Sequence, residues 1–213
     1  MTHRGVEMRS MTRGPDEELD LDLVDKLVFA GQGLVLERFS HAETVTGRTP
    51  DFRVYRAGEL VAYCEVKSPR DDWLDDKLAQ AQPFEIVGGG RNDPTFNRIA
   101  RHIEKAASQF DAVNPDRRFF NILAFVNHDE HSGFHDLVET VTGYFHTEDG
   151  SKIPTMTHIS EGRIGRAKRG VDIVIWINAR ERRREGHMIN DADPGRMEAV
   201  RKLLGLEAVE ITA

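Results

Sequence analysis

Two stretches of almost uninterrupted apolar residues limit the folds open to this chain of 213 residues. Phe119 to Val126 reads FFNILAFV, and Val171 to Asn178 reads VDIVIWIN. Runs of this kind are typical of strands buried on both faces, as in a sheet that helices cover on each side. Helical spacing of apolar residues predicts such helices at Asp16 to Ala30, Asn97 to Val113, Phe134 to Tyr144 and Pro194 to Leu204. The sequence therefore predicts an α/β protein with a mixed central sheet flanked by helices.

A hairpin is predicted between residues 49 and 69, which read TPDFRVYRAGELVAYCEVKSP. Apolar and polar residues alternate on both sides of a turn, as in two paired strands. The expected connection is a three-residue loop, Ala57 to Glu59, so that Arg56 pairs with Leu60. Leu34 to Phe39 is predicted to form a strand before it, and His41 to Arg48 a polar loop. Further along the chain, Ile153 to Ser160 is predicted to form an irregular strand.

This register places Asp51 directly opposite Glu65. Lys67 projects from the same face of the sheet as Glu65, because side chains alternate along a strand. Two carboxylates side by side destabilise a sheet unless a cation lies between them. The hairpin therefore predicts a cation site, and the alternative is an exposed hairpin with a solvated cluster of charges.

Pro50-Asp51, followed after the turn by Glu65-Val66-Lys67, resembles the motif of the PD-(D/E)xK nucleases. The resemblance covers roughly Asp16 to Val126. It implies the restriction-endonuclease-like fold and hydrolysis of DNA phosphodiester bonds, with RNA less favoured as a substrate. The alternative is a module that keeps this fold but only binds DNA or a protein partner.

Mg²⁺, or Mn²⁺ in its place, is the cofactor that these residue types favour. Asp51, one oxygen of Glu65 and the backbone carbonyl of Val66 offer the hard oxygen ligands that Mg²⁺ prefers. Lys67 is expected to orient the attacking water or to balance negative charge on the phosphate. The resemblance also implies a border role for Gln109 on the helix after the E-x-K strand.

A further metal-side acid on the first helix is common in the family that the motif resembles. Asp22 is the candidate because it faces away from the Leu19 stripe of that helix. Glu37 on the next strand is the rival, and a solvated surface acid is the alternative for either.

Local clusters of cations, rather than total charge, are expected to attract nucleic acid. The net charge of −7 and the pI of about 5.7 argue against a protein that coats nucleic acid without specificity. Arginine binds phosphate well because its planar group donates two hydrogen bonds at once. The candidate phosphate-binding residues are Arg101, Lys105, Arg163, Arg166, Lys168 and Arg169, and a solvated charged face is the alternative.

Two further features carry weaker hypotheses. His128, His131 and His135 have a spacing compatible with zinc, which would indicate a zinc-binding regulatory protein, although surface histidines are the alternative. Gly88 to Pro94 is predicted to form a flap or simple loop, after a short helix at Asp71 to Gln82.

Composition indicates an ordinary soluble protein, with 39% hydrophobic and 31% charged residues. Residues 1–14 lack the apolar region of a signal peptide and are predicted to form a disordered leader, before one domain spanning residues 15–213. Cys64 is the only cysteine, so no disulfide forms within the chain, which suits the cytoplasm. A membrane partner is not expected, and the oligomeric state stays open, with a homodimer as one arrangement.

Overall fold

The computed structural model describes residues 15–70, 77, 80–82, 84–86, 95–130, 132–147, 149, 151–155, 162, 164–190 and 192–206. The expected leader, the Gly88 to Pro94 segment and most of the helix predicted at residues 71–82 lie outside these ranges. The helices are α1 (Pro15–Val24), α2 (His41–Thr46), α3 (Thr95–Val113), α4 (Phe134–Thr142) and α5 (Pro194–Leu203). The strands are β1 (Leu34–Arg38), β2 (Phe52–Arg56), β3 (Glu59–Lys67), β4 (Phe120–Asn127), β5 (Tyr144–His146), β6 (Lys152–Pro154), β7 (Ile173–Asn178) and β8 (Arg183–Ile189).

Six of these strands form one mixed sheet in the order β1-β2-β3-β4-β7-β8. The pairs β3–β4 and β4–β7 are parallel, and the other neighbours are antiparallel. Strands β5 and β6 form a separate antiparallel pair. The prediction of an α/β protein with a mixed central sheet is confirmed.

Helices cover both faces of the sheet, and a separate hydrophobic core lies on each. One core joins α1 and α5 to residues such as Phe52, Cys64 and Ile122. The other joins α3 and α4 to Tyr63 and Leu123, among others. Neighbouring residues of one strand enter opposite cores, which is why the central strands are apolar throughout. Among the described residues, no helix is long and apolar enough to cross a bilayer.

The first helix is rotated from the expected orientation. Leu19, which was expected in the apolar stripe, is 64% exposed, whereas Asp20 and Leu21 are buried. The sequence Leu-Asp-Leu-Asp-Leu allows two apolar stripes along the helix, one that includes Leu19 and one that includes Leu21. Only packing against the sheet selects between them. After Val24 the helix continues as a wider π-helical turn, Asp25–Phe29.

Three short elements differ from the predictions. Residues 41–46 form helix α2 instead of a loop, and Ser40 and Glu43 form a capping box at its start. Strand β8 was not predicted, because its sequence RREGHMI is polar and lacks alternation. The strand expected at Ile153 to Ser160 is β6, which ends at Pro154, and residues 156–160 lie outside the described part.

The β2–β3 hairpin has a tighter turn than predicted. Arg56 pairs with Glu59, so the loop is the two residues Ala57 and Gly58. Both have positive φ, 51° and 83°, as hairpin turns of this length require. A bulge then restores the expected register: Tyr55 pairs with Leu60 and Val54 with Ala62, which leaves one extra residue in β3.

Candidate active site

Glu65 and Lys67 lie on the face of β3 that α3 covers. They follow Tyr63, which packs in the α3 core, at intervals of two residues. Both are buried, with exposures of 3% and 8%. The Lys67 ammonium contacts Glu65 Oε1 and donates a hydrogen bond of 3.2 Å to Gln109 Oε1. The E-x-K strand and α3 therefore join at a buried ion pair.

Asp51 reaches the same place from the start of β2. Phe52 pairs with Cys64, so the next position along the ladder sets Asp51 beside Glu65. Asp51 Oδ2 accepts a hydrogen bond of 2.8 Å from the Val66 amide. The structure brings five of the six predicted catalytic and metal-binding residues to the lining of one cavity of about 570 Å³: Asp51, Glu65, Val66, Lys67 and Gln109.

The Glu65 carboxyl is the least satisfied polar group of this cavity. The pKa of Glu65 is raised from 4.5 to about 7, chiefly by burial; the nearby Asp51 carboxylate adds to the rise, and the Lys67 ammonium opposes it. Glu65 Oε2 is buried without a hydrogen-bond partner. A buried carboxylate oxygen left unpaired is costly, and a cation or a donor from a ligand would satisfy it.

The loop before Asp51 is fixed to α3 by two hydrogen bonds. Gln109 Nε2 donates to the Thr49 carbonyl at 2.7 Å, and Arg48 Nη1 donates to Ser108 Oγ at 2.7 Å. Gln109 thus bridges the loop and Lys67, which agrees with its predicted position at the border of the site. Arg48 lines the cavity as well, and sequence patterns did not single it out because it follows a polar stretch without periodicity.

Helix α1 contributes acids other than the predicted one. Asp22 is exposed, forms an ion pair of 2.6 Å with Lys26 and lies outside the cavity lining. The rotation of α1 explains this correction: Asp22 follows Leu19 by three residues and so lies on the same side of the helix, which faces solvent. Glu17 lines the cavity instead, and Asp20 lines an adjoining one that also includes Asp51 and Lys67. The rival acid Glu37 pairs with Arg53.

The predicted phosphate-binding residues are not all on one surface. Lys105 lines the cavity of Asp51 and Glu65, and Arg101 is exposed on α3 outside that lining. Arg169 borders a neighbouring cavity that shares Ser108 with the first. Lys168 lines a different cavity, next to Ile103 and Met188. Arg163 and the side chain of Arg166 lie outside the described residues.

The predicted histidine cluster has no metal-binding arrangement in the described part of the chain. His128 Nε2 lies 2.9 Å from Asp20 Oδ1, whereas His135 is exposed and lies 3.4 Å from Asp136. His131 is outside the described residues. Within the described ranges, no group of three or more His, Cys, Asp or Glu side chains is placed to hold a metal ion.

The donor set of the cavity nonetheless fits a hard divalent cation. Asp51 and Glu65 supply carboxylate oxygens, and one of these, Glu65 Oε2, has no partner. Mg²⁺ is commonly bound by only one or two protein carboxylates and keeps several waters. Two carboxylates beside an open cavity therefore meet its requirement without a third acid.

Comparison of the chain with protein-family models, with curated proteins and with solved structures found no match. The functional conclusion therefore rests on the geometry of the site.

Proposed function

We propose that this protein is a nuclease that uses Mg²⁺ or Mn²⁺ to hydrolyse DNA phosphodiester bonds, on a restriction-endonuclease-like fold. The observation that carries the proposal is the meeting of Asp51, Glu65, Lys67 and Gln109 at one cavity, with Glu65 Oε2 unpaired. The element order from α1 to β4, namely helix, strand, short helix, hairpin, helix, strand, supports the fold.

The metal ligands in this proposal are Asp51, Glu65 and the backbone carbonyl of Val66. A bound Mg²⁺ polarises a phosphoryl oxygen and makes a bound water more acidic. Asp51 is held for this role by the Val66 amide, which donates to one of its oxygens. A carboxylate fixed by the backbone needs little reorganisation to bind a ligand.

Lys67 supplies positive charge beside the reacting phosphate. Its ammonium lies between Glu65 and Gln109, and α3 limits its access to water. A buried cation stabilises negative charge that builds up on a phosphate more strongly than a solvated one. Gln109 positions Lys67 and, through the Thr49 carbonyl, the loop that precedes Asp51.

A substrate panel tests the proposal. Purified protein is incubated with Mg²⁺, Mn²⁺ or EDTA and with linear duplex, circular, branched and single-stranded DNA, and with RNA of the same sequence. We expect metal-dependent cleavage of DNA, with RNA cut more slowly, and loss of cleavage together with metal affinity in Asp51→Ala. No cleavage by the parent protein on any substrate would contradict the proposal.

One observation favours the alternative, a module that binds nucleic acid or a partner without cleaving. Lys67 already neutralises Glu65, as in an ion pair that serves stability alone. Calorimetric titration with Mg²⁺ and Ca²⁺ separates the two functions. A nuclease binds the metal through Asp51 and Glu65, so Asp51→Ala weakens binding, whereas a binding module shows no metal affinity that depends on these residues.

A further inference from the structure

We propose that Arg48, oriented by Ser108, forms with Lys105 an anchor for a phosphodiester group of the substrate strand next to the bond that is cut. This inference rests on the proposed function and adds to it how the substrate is recognised. Recognition through such an anchor depends on the backbone of the strand and not on its bases.

Arg48 is held in place although its charged end is exposed. Its Nη1 atom donates to Ser108 Oγ at 2.7 Å, and the next residue of the loop, Thr49, accepts a hydrogen bond from Gln109. Helix α2 before the loop is fixed by its capping box, in which Glu43 also pairs with Arg53. A guanidinium fixed at one nitrogen keeps other N–H groups for a ligand and loses little entropy on binding it.

Arg48 and Lys105 differ from the neighbouring arginines in their partners. Arg38 pairs with Glu18, and Arg53 pairs with Glu43. Among the described residues, neither Arg48 nor Lys105 has a carboxylate within salt-bridge distance. Both line the cavity of Asp51 and Glu65. Two cations without acidic partners beside a metal-type carboxylate pair favour an anionic ligand.

The charges of this cavity are separated by structural element. The acids come from α1 and the β2–β3 hairpin, namely Glu17, Asp51 and Glu65. The two cations without an acidic partner are Lys105, which comes from α3, and Arg48, which comes from the loop that is bound to α3. A substrate strand fits this division, because the phosphodiester that is cut can lie at the acidic side while Arg48 and Lys105 bind the next one.

The walls of the cavity carry no aromatic side chain among their described residues, which are Glu17, Thr44, Gly47, Arg48, Thr49, Pro50, Asp51, Glu65, Val66, Lys67, Lys105, Ser108 and Gln109. Proteins that hold single strands by their bases use aromatic platforms for stacking. Contacts to phosphate carry no sequence information. We therefore expect affinity that changes little with base sequence near the cleaved bond.

The test is a fluorescence anisotropy titration of a labelled DNA oligonucleotide in EDTA, repeated over a range of salt concentrations. We expect Arg48→Ala and Lys105→Ala each to weaken binding about tenfold and to reduce the slope of log affinity against log salt by about one, as for one lost phosphate contact. Ser108→Ala should weaken binding a few-fold with an unchanged slope, because the charge remains but its orientation is lost.

Lys202→Ala is the matched control. Lys202 is an exposed cation on α5, which packs on the opposite face of the sheet, so affinity and salt slope should equal those of the parent. Strands of different base sequence should bind equally. A strand with one neutral methylphosphonate at the phosphate next to the cleaved one should bind the parent more weakly and show no further loss in Arg48→Ala.

The outcomes separate this inference from the proposed nuclease activity. DNA binding that depends on Arg48, without cleavage in Mg²⁺ or Mn²⁺, supports the anchor and contradicts the nuclease. Cleavage with unchanged affinity and salt slope in both Arg48→Ala and Lys105→Ala overturns the anchor alone. Equal losses of DNA affinity in Arg48→Ala, Lys105→Ala and Lys202→Ala also overturn the anchor. They would show that DNA is attracted by general surface charge alone.

Discussion

Two buried carboxylates, Asp172 and Glu65, are each 3% exposed but have opposite surroundings. Asp172 lies before β7, and Arg196 donates to both of its oxygens, at 2.6 Å and 2.8 Å. Arg117 and the Asn121 amide also donate to it. Glu65 has one lysine as its ion partner and one oxygen with no partner.

The contrast shows how burial alone fails to identify a functional acid. Asp172 accepts hydrogen bonds at both of its oxygens, and these bonds connect β4, β7 and α5 as a structural centre. Glu65 has fewer donors, one of its oxygens has none, and its pKa is raised to about 7. An acid whose partners are incomplete is the one placed to bind a ligand.

The largest expected effect is on catalysis at Glu65. Glu65→Gln keeps the shape of the side chain but removes a metal ligand, so we expect cleavage to fall on the order of a thousandfold or more, or ~4 kcal/mol. Single-turnover cleavage rates at saturating Mg²⁺, with thermal melts of the same samples, measure it. A folded Glu65→Gln protein that cleaves like the parent would remove Glu65 from the site.

The next effect is on stability at Asp172. Asp172→Asn leaves Arg117 and Arg196 without their counterion, and we expect a loss of about 3 kcal/mol in the free energy of unfolding. The double variant Glu65→Gln/Lys67→Met removes both charges of the other pair and should stay within about 1 kcal/mol of the parent. Urea unfolding measures both, and equal losses would erase the distinction between the two carboxylates.

A somewhat smaller effect is expected at Lys67. Lys67→Met should slow cleavage about a hundredfold, or ~2.7 kcal/mol, because it removes a charge that acts on the transition state. Metal affinity and DNA affinity should be retained, unlike in Glu65→Gln. Calorimetry with Ca²⁺ and anisotropy with DNA check the two affinities, and loss of DNA binding would assign Lys67 to substrate affinity instead of the chemical step.

The smallest effect concerns His102 of α3, which lies near the site. The pKa of His102 is lowered from 6.5 to about 4, chiefly by burial and also by the charges of Lys67, Lys105 and Arg98. The unfolded chain therefore binds more protons between these values, and stability falls as the pH drops from about 6.5 towards 4. We expect His102→Gln to remove about 1 kcal/mol of this loss at pH 5, since solvent screens the partly exposed ring.

Denaturant unfolding at pH 7 and pH 5 measures this difference for the parent and for His102→Gln. The comparison variant is His187→Gln on the edge strand β8. Burial also lowers the pKa of His187, so this variant should remove a separate part of the same loss of stability. The same pH dependence in the parent and in His102→Gln would show that the imidazole is not the group responsible.

The central strands and the E-x-K site followed from local patterns. The apolar runs at β4 and β7 indicate strands buried on both faces at the centre of a sheet, and alternation within β3 fixes which residues share a face. The position of the first helix did not follow, because Leu19, Leu21 and Leu23 fit two stripes equally and only contact with the sheet decides. Asp22 was chosen by its position relative to the Leu19 stripe, and the choice was wrong because Leu19 does not face the sheet.

Arg48 was missed for a different physical reason. Its role depends on Ser108, which lies 60 residues away in the sequence, and no local pattern reports a contact of that range. Helix α2 beside it did leave a local signal, since Ser40 and Glu43 have the spacing of a capping box. Strand β8 left none, because none of its residues is fully buried and its sequence RREGHMI does not alternate between polar and apolar positions.

The bulge in β3 makes the tip of the hairpin independent of the carboxylates at its base. Val61 has no partner in β2, so β3 has one more position than β2 in this part of the hairpin. This extra position makes up for the turn, which has two residues where a ladder without a bulge would need three to keep Val54 paired with Ala62. A chain with a glycine inserted after Gly58 and with Val61 deleted has a three-residue loop and no bulge, yet keeps Asp51 beside Glu65. The residues between Tyr55 and Ala62 can therefore be divided differently between turn and ladder without moving Asp51 away from Glu65.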